Sequence, residues 1–506
     1  MKKIVLAGVS LLAMATAAPG LAQSTSTVNQ TGNGNDVAVT QTGADTSTVT
    51  QTGDGNEVDV TQGGTGGEST ITQLGNGNEA TVEQATVGGT AVTDQDGDDN
   101  VSVIVQDDTT ADADDPDALN TQVGNGNNAQ IFQTSTGGAV TLSAINTQTG
   151  NGNSSLIEQT AVGTDAGTLS ANVTQTTDGA ESEIYQTANA PGAVDQTATV
   201  TQTGVSTSVI TQTFGLENSN TFVATVNQSG NGNSSTILQQ DVGPLFLPTP
   251  DSELSATVTQ EGDGNTSSVT QSNREAIATI LQTGNGNTST ASQTFSTNEL
   301  TVTQSGDSNT SDIEQAWMSS SDATVVQASN GSESTIFQTG RFDVVFVNQL
   351  TGSNGSTSTV TQNGAMLLEP TFNYAEVNQT GAGSESSITQ TNFDSSAIVN
   401  QSNLSNASII EQIGTVDGSG NDATVDQSGE GNDSDIFQEG SLNVADVDQE
   451  GDFNEADVVQ DATGNLADIL QTGDSNTASI TQNTDGNTAN IIQSGTNSTA
   501  TVLQGS

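Results

Sequence analysis

Glutamine returns along this chain every 11 residues, and the residues before each one alternate between apolar and polar. The run Gln427, Gln438, Gln449, Gln460, Gln471, Gln482, Gln493, Gln504 shows the period uninterrupted, and counting from Gln30 gives 40 units. Ile or Val stands two places before glutamine in 36 of the 40, and the place four before is mostly Ser or Ala. In one unit Ser434, Ile436 and Gln438 form one set, with Asp433, Asp435 and Phe437 between them. A period of two describes a β-strand with one buried face and excludes a helix. Before Gln95, Gln122 and Gln148 the apolar residue stands one place earlier, at Val92, Leu119 and Ile145, which predicts a one-residue bulge in each.

The turns are of two kinds. After odd-numbered strands Gly stands two places past glutamine in 16 of 20 cases, and after even-numbered strands in only 6 of 19. Every large insertion falls on the even side, between Gln106 and Gln122, Gln133 and Gln148, Gln159 and Gln175, Gln186 and Gln202, Gln212 and Gln228, Gln239 and Gln260, Gln362 and Gln379, and Gln412 and Gln427. The repeat is therefore strand-turn-strand-turn, with one tight edge and one edge of longer loops. A unit of this kind buries its apolar face only by stacking on its neighbours. The expected fold is all-β: a β-solenoid of about 20 coils, 22 residues per coil, with two facing parallel sheets. Gln and Asn at the strand ends are expected to form amide ladders, and Gly and Asn to supply the left-handed turn conformations.

Composition narrows the function. Residues 1–22 read as a secretory signal peptide: Met1-Lys2-Lys3, an apolar stretch from Ile4, and small residues ending Gly20-Leu21-Ala22. Residues 23–506 are then one repeat solenoid. The net charge is −56, and removing the leader leaves only Arg274 and Arg341 against 60 acidic residues. Such a chain is not expected to bind nucleic acid, whose phosphates need Lys and Arg. Cysteine and histidine are absent, which removes disulfides, the commonest general base and the commonest zinc ligand.

The unit Q-x-G-x-G-N-x-A/S-x3-Q resembles the curlin repeat of bacterial curli fibres. Gln30, Gly32, Asn35 and Gln41 carry it first; Gln122, Gly124, Asn127 and Gln133 carry it again, followed by Gln228, Gly230, Asn233 and Gln239, and by Gln282, Gly284, Asn287 and Gln293. The resemblance implies an exported fibre subunit of a Gram-negative bacterium, self-associating outside the cell into cross-β amyloid for adhesion and biofilm. It also implies an outer-membrane secretion pore and a nucleator as partners. The chain departs from the family in its length, in a leading Ser that is not strict, and in Gln30 lying only eight residues past the predicted cleavage site. Neither end shows an obvious cap, and an uncapped coil templates another chain; a capped monomeric surface adhesin is the alternative.

The same residues argue against other chemistries. Asp94-Gln95-Asp96-Gly97-Asp98-Asp99-Asn100 has carboxylates at alternate places, but Asp99 stands where a calcium loop needs Gly and Val105 where it needs a bidentate Glu. Solvated acidic turns with weak, non-stoichiometric divalent cation binding are expected there. The run from Asp107 to Asp117 reads as a soluble charged loop. Carboxylate pairs suited to a polysaccharide-acting enzyme occur nearly everywhere and mark no unique site, so no catalytic residue and no cofactor is expected. Outward Thr pairs such as Thr48/Thr50 fit ordinary β-propensity. The aromatics Phe132, Tyr185, Phe337 and Phe437, all one place before an even-numbered glutamine, suggest a lateral contact face.

Overall fold

The structure is a computed structural model that describes residues 23–505, apart from 86, 109–115, 137–138, 164–165, 190–192, 216–219, 242–251, 273–274, 295–296, 317–319, 365–370, 392 and 415–418. The signal-peptide segment lies outside the described residues, as do Arg274 and most of the acidic run after Asp108. The chain divides into two compact units, Met1–Phe222 and Val223–Ser506. The described residues form forty strands, two per coil, and contain no helix.

Within each unit odd-numbered strands pair in parallel with odd, and even with even, giving a β-solenoid. Thr46–Thr52 lies between Thr25–Thr31 and Glu68–Leu74 with Gln51 in register with Gln30 and Gln73. In the second unit Val444–Glu450 lies between Asp422–Ser428 and Leu466–Thr472 with the glutamines again in line. This register sends the residues two and four places before each glutamine inward. Val49, Val60 and Ile71 are fully buried in the first unit, and Val425, Val447 and Ile469 in the second. The place four before alternates freely between Ala and Ser, and several of those serines, including Ser69, Ser267 and Ser434, have buried hydroxyls without a partner. Small volume selects the residue there, because the two sheets meet across a thin core.

The predicted bulges do not form. Thr90–Asp96, Asp117–Val123 and Ala139–Thr149 pair residue for residue, so Val92 aligns with Leu119 and Ile145 on the outer face. Thr93, Asn120 and Asn146 take the buried place instead, each at most 1% exposed. They are tolerated because the facing strands offer hydroxyls: Thr93 Oγ1 lies 3.0 Å from Ser102 Oγ, Asn120 Nδ2 donates to Ser102 Oγ at 2.9 Å, and Asn146 Nδ2 to Ser155 Oγ. Continuing the axial ladder costs less than breaking it with an extra residue.

The insertions also differ from the loops expected. Between Gln133 and Gln202 they lengthen the strands: Ala139–Thr149, Ala166–Gln175 and Ala193–Gln202 run 10 or 11 residues and align Leu142 with Leu169 and Gln196. The even-numbered strands lengthen to match, and Ala161, Ala188 and Phe214 are fully buried beyond their glutamines. Phe214 and Phe222 close this added core edge to face, with ring centroids 6.4 Å apart. The edge that accepts insertions thus widens the core when neighbouring coils insert together. Leu169→Ala is expected to cost about 2–4 kcal/mol by leaving a cavity between fixed sheets, whereas Leu74→Ala, at a side chain 48% exposed, should stay within about 0.5 kcal/mol; thermal unfolding of the two variants checks the contrast.

Candidate functional site

The repeating glutamines are buried at the strand ends, where an unbonded amide would be costly. From coil to coil, Nε2 of one glutamine donates to Oε1 of the glutamine that follows in its column. Gln30 bonds Gln51 at 2.8 Å, Gln41 bonds Gln62 at 2.8 Å, Gln122 bonds Gln148 at 3.0 Å and Gln133 bonds Gln159 at 2.9 Å. In the second unit Gln228 bonds Gln260, Gln239 bonds Gln271 and Gln282 bonds Gln304, each at 2.8 Å, and Gln293 bonds Gln315 at 2.9 Å. The second N–H of each amide crosses the coil: Gln304 Nε2 also donates to the Thr288 carbonyl at 3.0 Å. One side chain therefore ties its coil to the next and closes its own arc, and all of these rungs point the same way along the chain.

The tight edge adds its own ladder. Asn35, Asn127, Asn233 and Asn287 donate through Nδ2 to the carbonyls of Gly53, Gly150, Gly262 and Gly306 in the following coil, at 2.8–2.9 Å. Their Oδ1 atoms accept the next backbone N–H, as when Asn153 N donates to Asn127 Oδ1 at 3.0 Å. The predicted rungs of Asn are thus bonded chiefly to backbone. Gly124 has φ 117°, and a Cβ there would fall 2.0 Å from the Gly150 carbonyl oxygen, so the coils stack too closely for any side chain. Gly32, Gly230 and Gly284 meet the next coil's carbonyl in the same way, at 1.7, 2.1 and 1.9 Å.

A further ladder was missed in the sequence. The third residue past odd-numbered glutamines is repeatedly Asn or Asp, and its Oδ1 accepts the backbone N–H of the same residue one coil earlier: Asn33 to Asp54, Asp54 to Asn76, Asn76 to Asp98 and Asp98 to Asn125, at 2.6–2.9 Å. The second unit repeats it from Asn231 through Asp263, Asn285 and Asp307 to Asn330. Asp and Asn alternate there, which keeps like charges two coils apart and lets Asn76 Nδ2 bond Asp98 Oδ1 at 3.0 Å. The signal was available as an Asx recurrence at one turn position. Asp98, within the acidic run Asp94–Asn100, is one of these rungs, and no group of three or more acidic residues among those described is arranged to hold a metal ion.

Elsewhere carboxylates crowd on the strand faces. Asp448 is pushed up to about 6 by burial and then by the Asp446, Asp426, Asp468 and Glu450 carboxylates. Asp435, Asp446 and Asp457 are raised for the same two reasons. Asp343 is a separate case: fully buried, it stands where neighbouring turns of the same edge have Asn373, Asn421 and Asn443. Its Oδ1 accepts Thr371 Oγ1 at 2.7 Å and Asn373 N at 3.0 Å, while Oδ2 has no partner. Burial raises it to about 6 despite those bonds. Phe132, Tyr185, Phe337 and Phe437 lie half-buried on the outer face of the even-numbered strands.

The curlin associated repeat matches residues 53–85 and, in overlapping registers, 418–451, 429–461, 451–483, 462–495 and 473–505. No curated protein matches the chain.

Gln304→Ala is expected to destabilise the fold by about 3 kcal/mol or more, since it leaves the Gln282 donor, the Gln327 acceptor and the Thr288 carbonyl unbonded at once; chemical unfolding measures it. For Asp343, a folded value near 6 against 3.8 for the free group means its contribution is fully present below about 4 and is lost as pH rises through 6. Asp343→Asn should therefore raise stability at pH 8 by on the order of 2–3 kcal/mol and leave it nearly unchanged at pH 4, read from unfolding midpoints at the two pH values.

Proposed function

Since this chain belongs to the curlin repeat family, we propose that it is the structural subunit of an extracellular fibre, a curli-like functional amyloid serving cell-surface adhesion and biofilm. The observation that carries the reading is the one-way glutamine ladder. At one end of the described chain Gln493 and Gln504 donate to the carbonyls of Thr477 and Thr488, at 3.1 and 2.9 Å, and each keeps one amide N–H for a further rung. In the first unit Gln30 and Gln41 donate forward to the following coil in the same way, which leaves their Oε1 atoms to accept from a preceding rung. A second copy stacked head to tail would continue both ladders and both sheets in register, which is polar growth by strand addition.

Burial supports the same contact. Ala500 and Val502 of the last strand stay partly accessible, whereas Ala478 and Ile480 one coil earlier are fully buried. The family is a structural one, and this chain acts as scaffold rather than enzyme. Export through the signal peptide of residues 1–22 and an outer-membrane pore, with a nucleator outside, completes the proposal. The net charge of −56 opposes approach of two copies until salt screens it.

Mature protein is expected to assemble into unbranched fibres with reflections at about 4.8 and 10 Å, with lag times that shorten as ionic strength rises. X-ray fibre diffraction and dye-binding kinetics measure both. A monomer that neither elongates nor accepts seeds would replace the fibre reading with a capped monomeric adhesin.

A further inference from the structure

The chain has 12 Phe, 2 Tyr and 1 Trp in 506 residues, yet two adjacent coils of the second unit bring four of them together. Phe342 and Phe372 precede the strands Val344–Gln349 and Tyr374–Gln379, and their rings stack with centroids 5.3 Å apart and planes 15° apart. Phe346 and Tyr374 lie on the outer faces of those strands, 6.1 Å apart. Arg341, the one Lys or Arg among the described residues, places its guanidinium carbon 5.6 Å from the Phe342 ring centre.

Neither Phe342 nor Phe372 is where folding alone would put it. Their φ angles are 61° and 50°, in the left-handed region; at this turn position later coils carry Asp394 and Leu442 at 50° and 57°, and Gly464 and Gly486 at 70°. The two rings are also 39% and 52% exposed. Glycine would relieve both the backbone strain and the apolar exposure, so these side chains are unfavourable for the solenoid by itself.

Beside the rings runs a hydrogen-bonding row. Tyr374 Oη donates to Glu376 Oε2 at 2.5 Å, and Asn378 Nδ2 reaches Glu376 Oε1 at 2.8 Å and Asn400 Oδ1 at 2.9 Å. Aromatic faces next to oriented carboxylate and amide groups match a sugar ring, whose C–H faces are apolar and whose rim is hydroxyl. Charge selects among ligands: a chain of net −56 repels polyanions and other copies of itself, and an uncharged glycan meets no such barrier. We propose that this face is a binding site for a neutral, hydroxyl-rich polysaccharide, lying across the Phe342–Phe372 stack and hydrogen-bonded along Tyr374, Glu376 and Asn378.

The test is binding of the full mature protein, freshly monomeric and as preformed fibres, to a soluble mixed-linkage β-glucan, with alginate as the anionic comparison. The double variant Phe342→Gly/Phe372→Gly puts at both turns the residue that relaxes a left-handed backbone, so it should fold at least as well and weaken glucan affinity by on the order of tenfold or more. Phe453→Gly removes another exposed left-handed Phe on the opposite edge, at φ 57° and 60% exposure, and should leave affinity unchanged. The proposal is overturned if wild type does not bind the glucan, if alginate binds as tightly, or if the double variant and Phe453→Gly behave alike. Loss of lateral fibre bundling in the double variant with glucan binding intact would likewise overturn it, assigning the patch to contact between copies.

Discussion

A side-chain amide removed from water must have its donors and its acceptor bonded, and very few arrangements satisfy this without limit along one direction. Identical amides stacked at the spacing of parallel strands do so, because each layer supplies the partner the previous layer lacks. In this protein the stacked glutamine is the constraint from which the rest follows. It demands a glutamine at the same strand end in every coil, strands in exact-length alternation of inward and outward residues, and coils that stack at the backbone hydrogen-bonding distance. Whatever happens between two glutamines must return the chain to that column.

The core reflects the same demand. The Gln304 side chain is held by three groups from three other strands, while the apolar residues beside it are single Val or Ile side chains across a thin interior. Buried serines with unbonded hydroxyls and the polar trio Thr93, Asn120 and Asn146 are accepted inside because they leave the column undisturbed. A bulge would have placed Val92, Leu119 and Ile145 in the core at the expense of the ladder, and the fold takes the opposite choice. Stability here rests on registered polar contacts as much as on hydrophobic area.

Charge is distributed around that scaffold with evident spacing. On the tight edge Asp and Asn alternate so that carboxylates accept backbone and amide N–H groups and avoid each other. On the strand faces of the second unit the spacing is lost, and Asp448 rises to about 6 among its neighbours. Asp343 rises for a different reason, being buried in a turn where other coils place Asn or Ser. Acid therefore favours this unit, and a solenoid whose own charge resists stacking becomes easier to stack as that charge falls.

The amino-acid sequence by itself determined the strand period, the inward and outward faces, the axial glutamine column and the division into a tight and a permissive edge. Those features are local: a period of two within a strand, or a Gly two places after Gln30, is visible without knowing any partner. The tertiary structure decided what depends on the neighbouring coil. Leu142 and Leu169 became core because two insertions of matching length lie side by side, and Asn120 went inward because its column was already set by Gln95 and Gln148. The Asx ladder from Asn33 to Asn125, and the stack of Phe342 on Phe372, likewise join residues 21 to 30 places apart that carry no mark of each other in the chain. Partners along a solenoid axis are chosen by the stacking register, and only the folded coil sets which residues that register brings face to face.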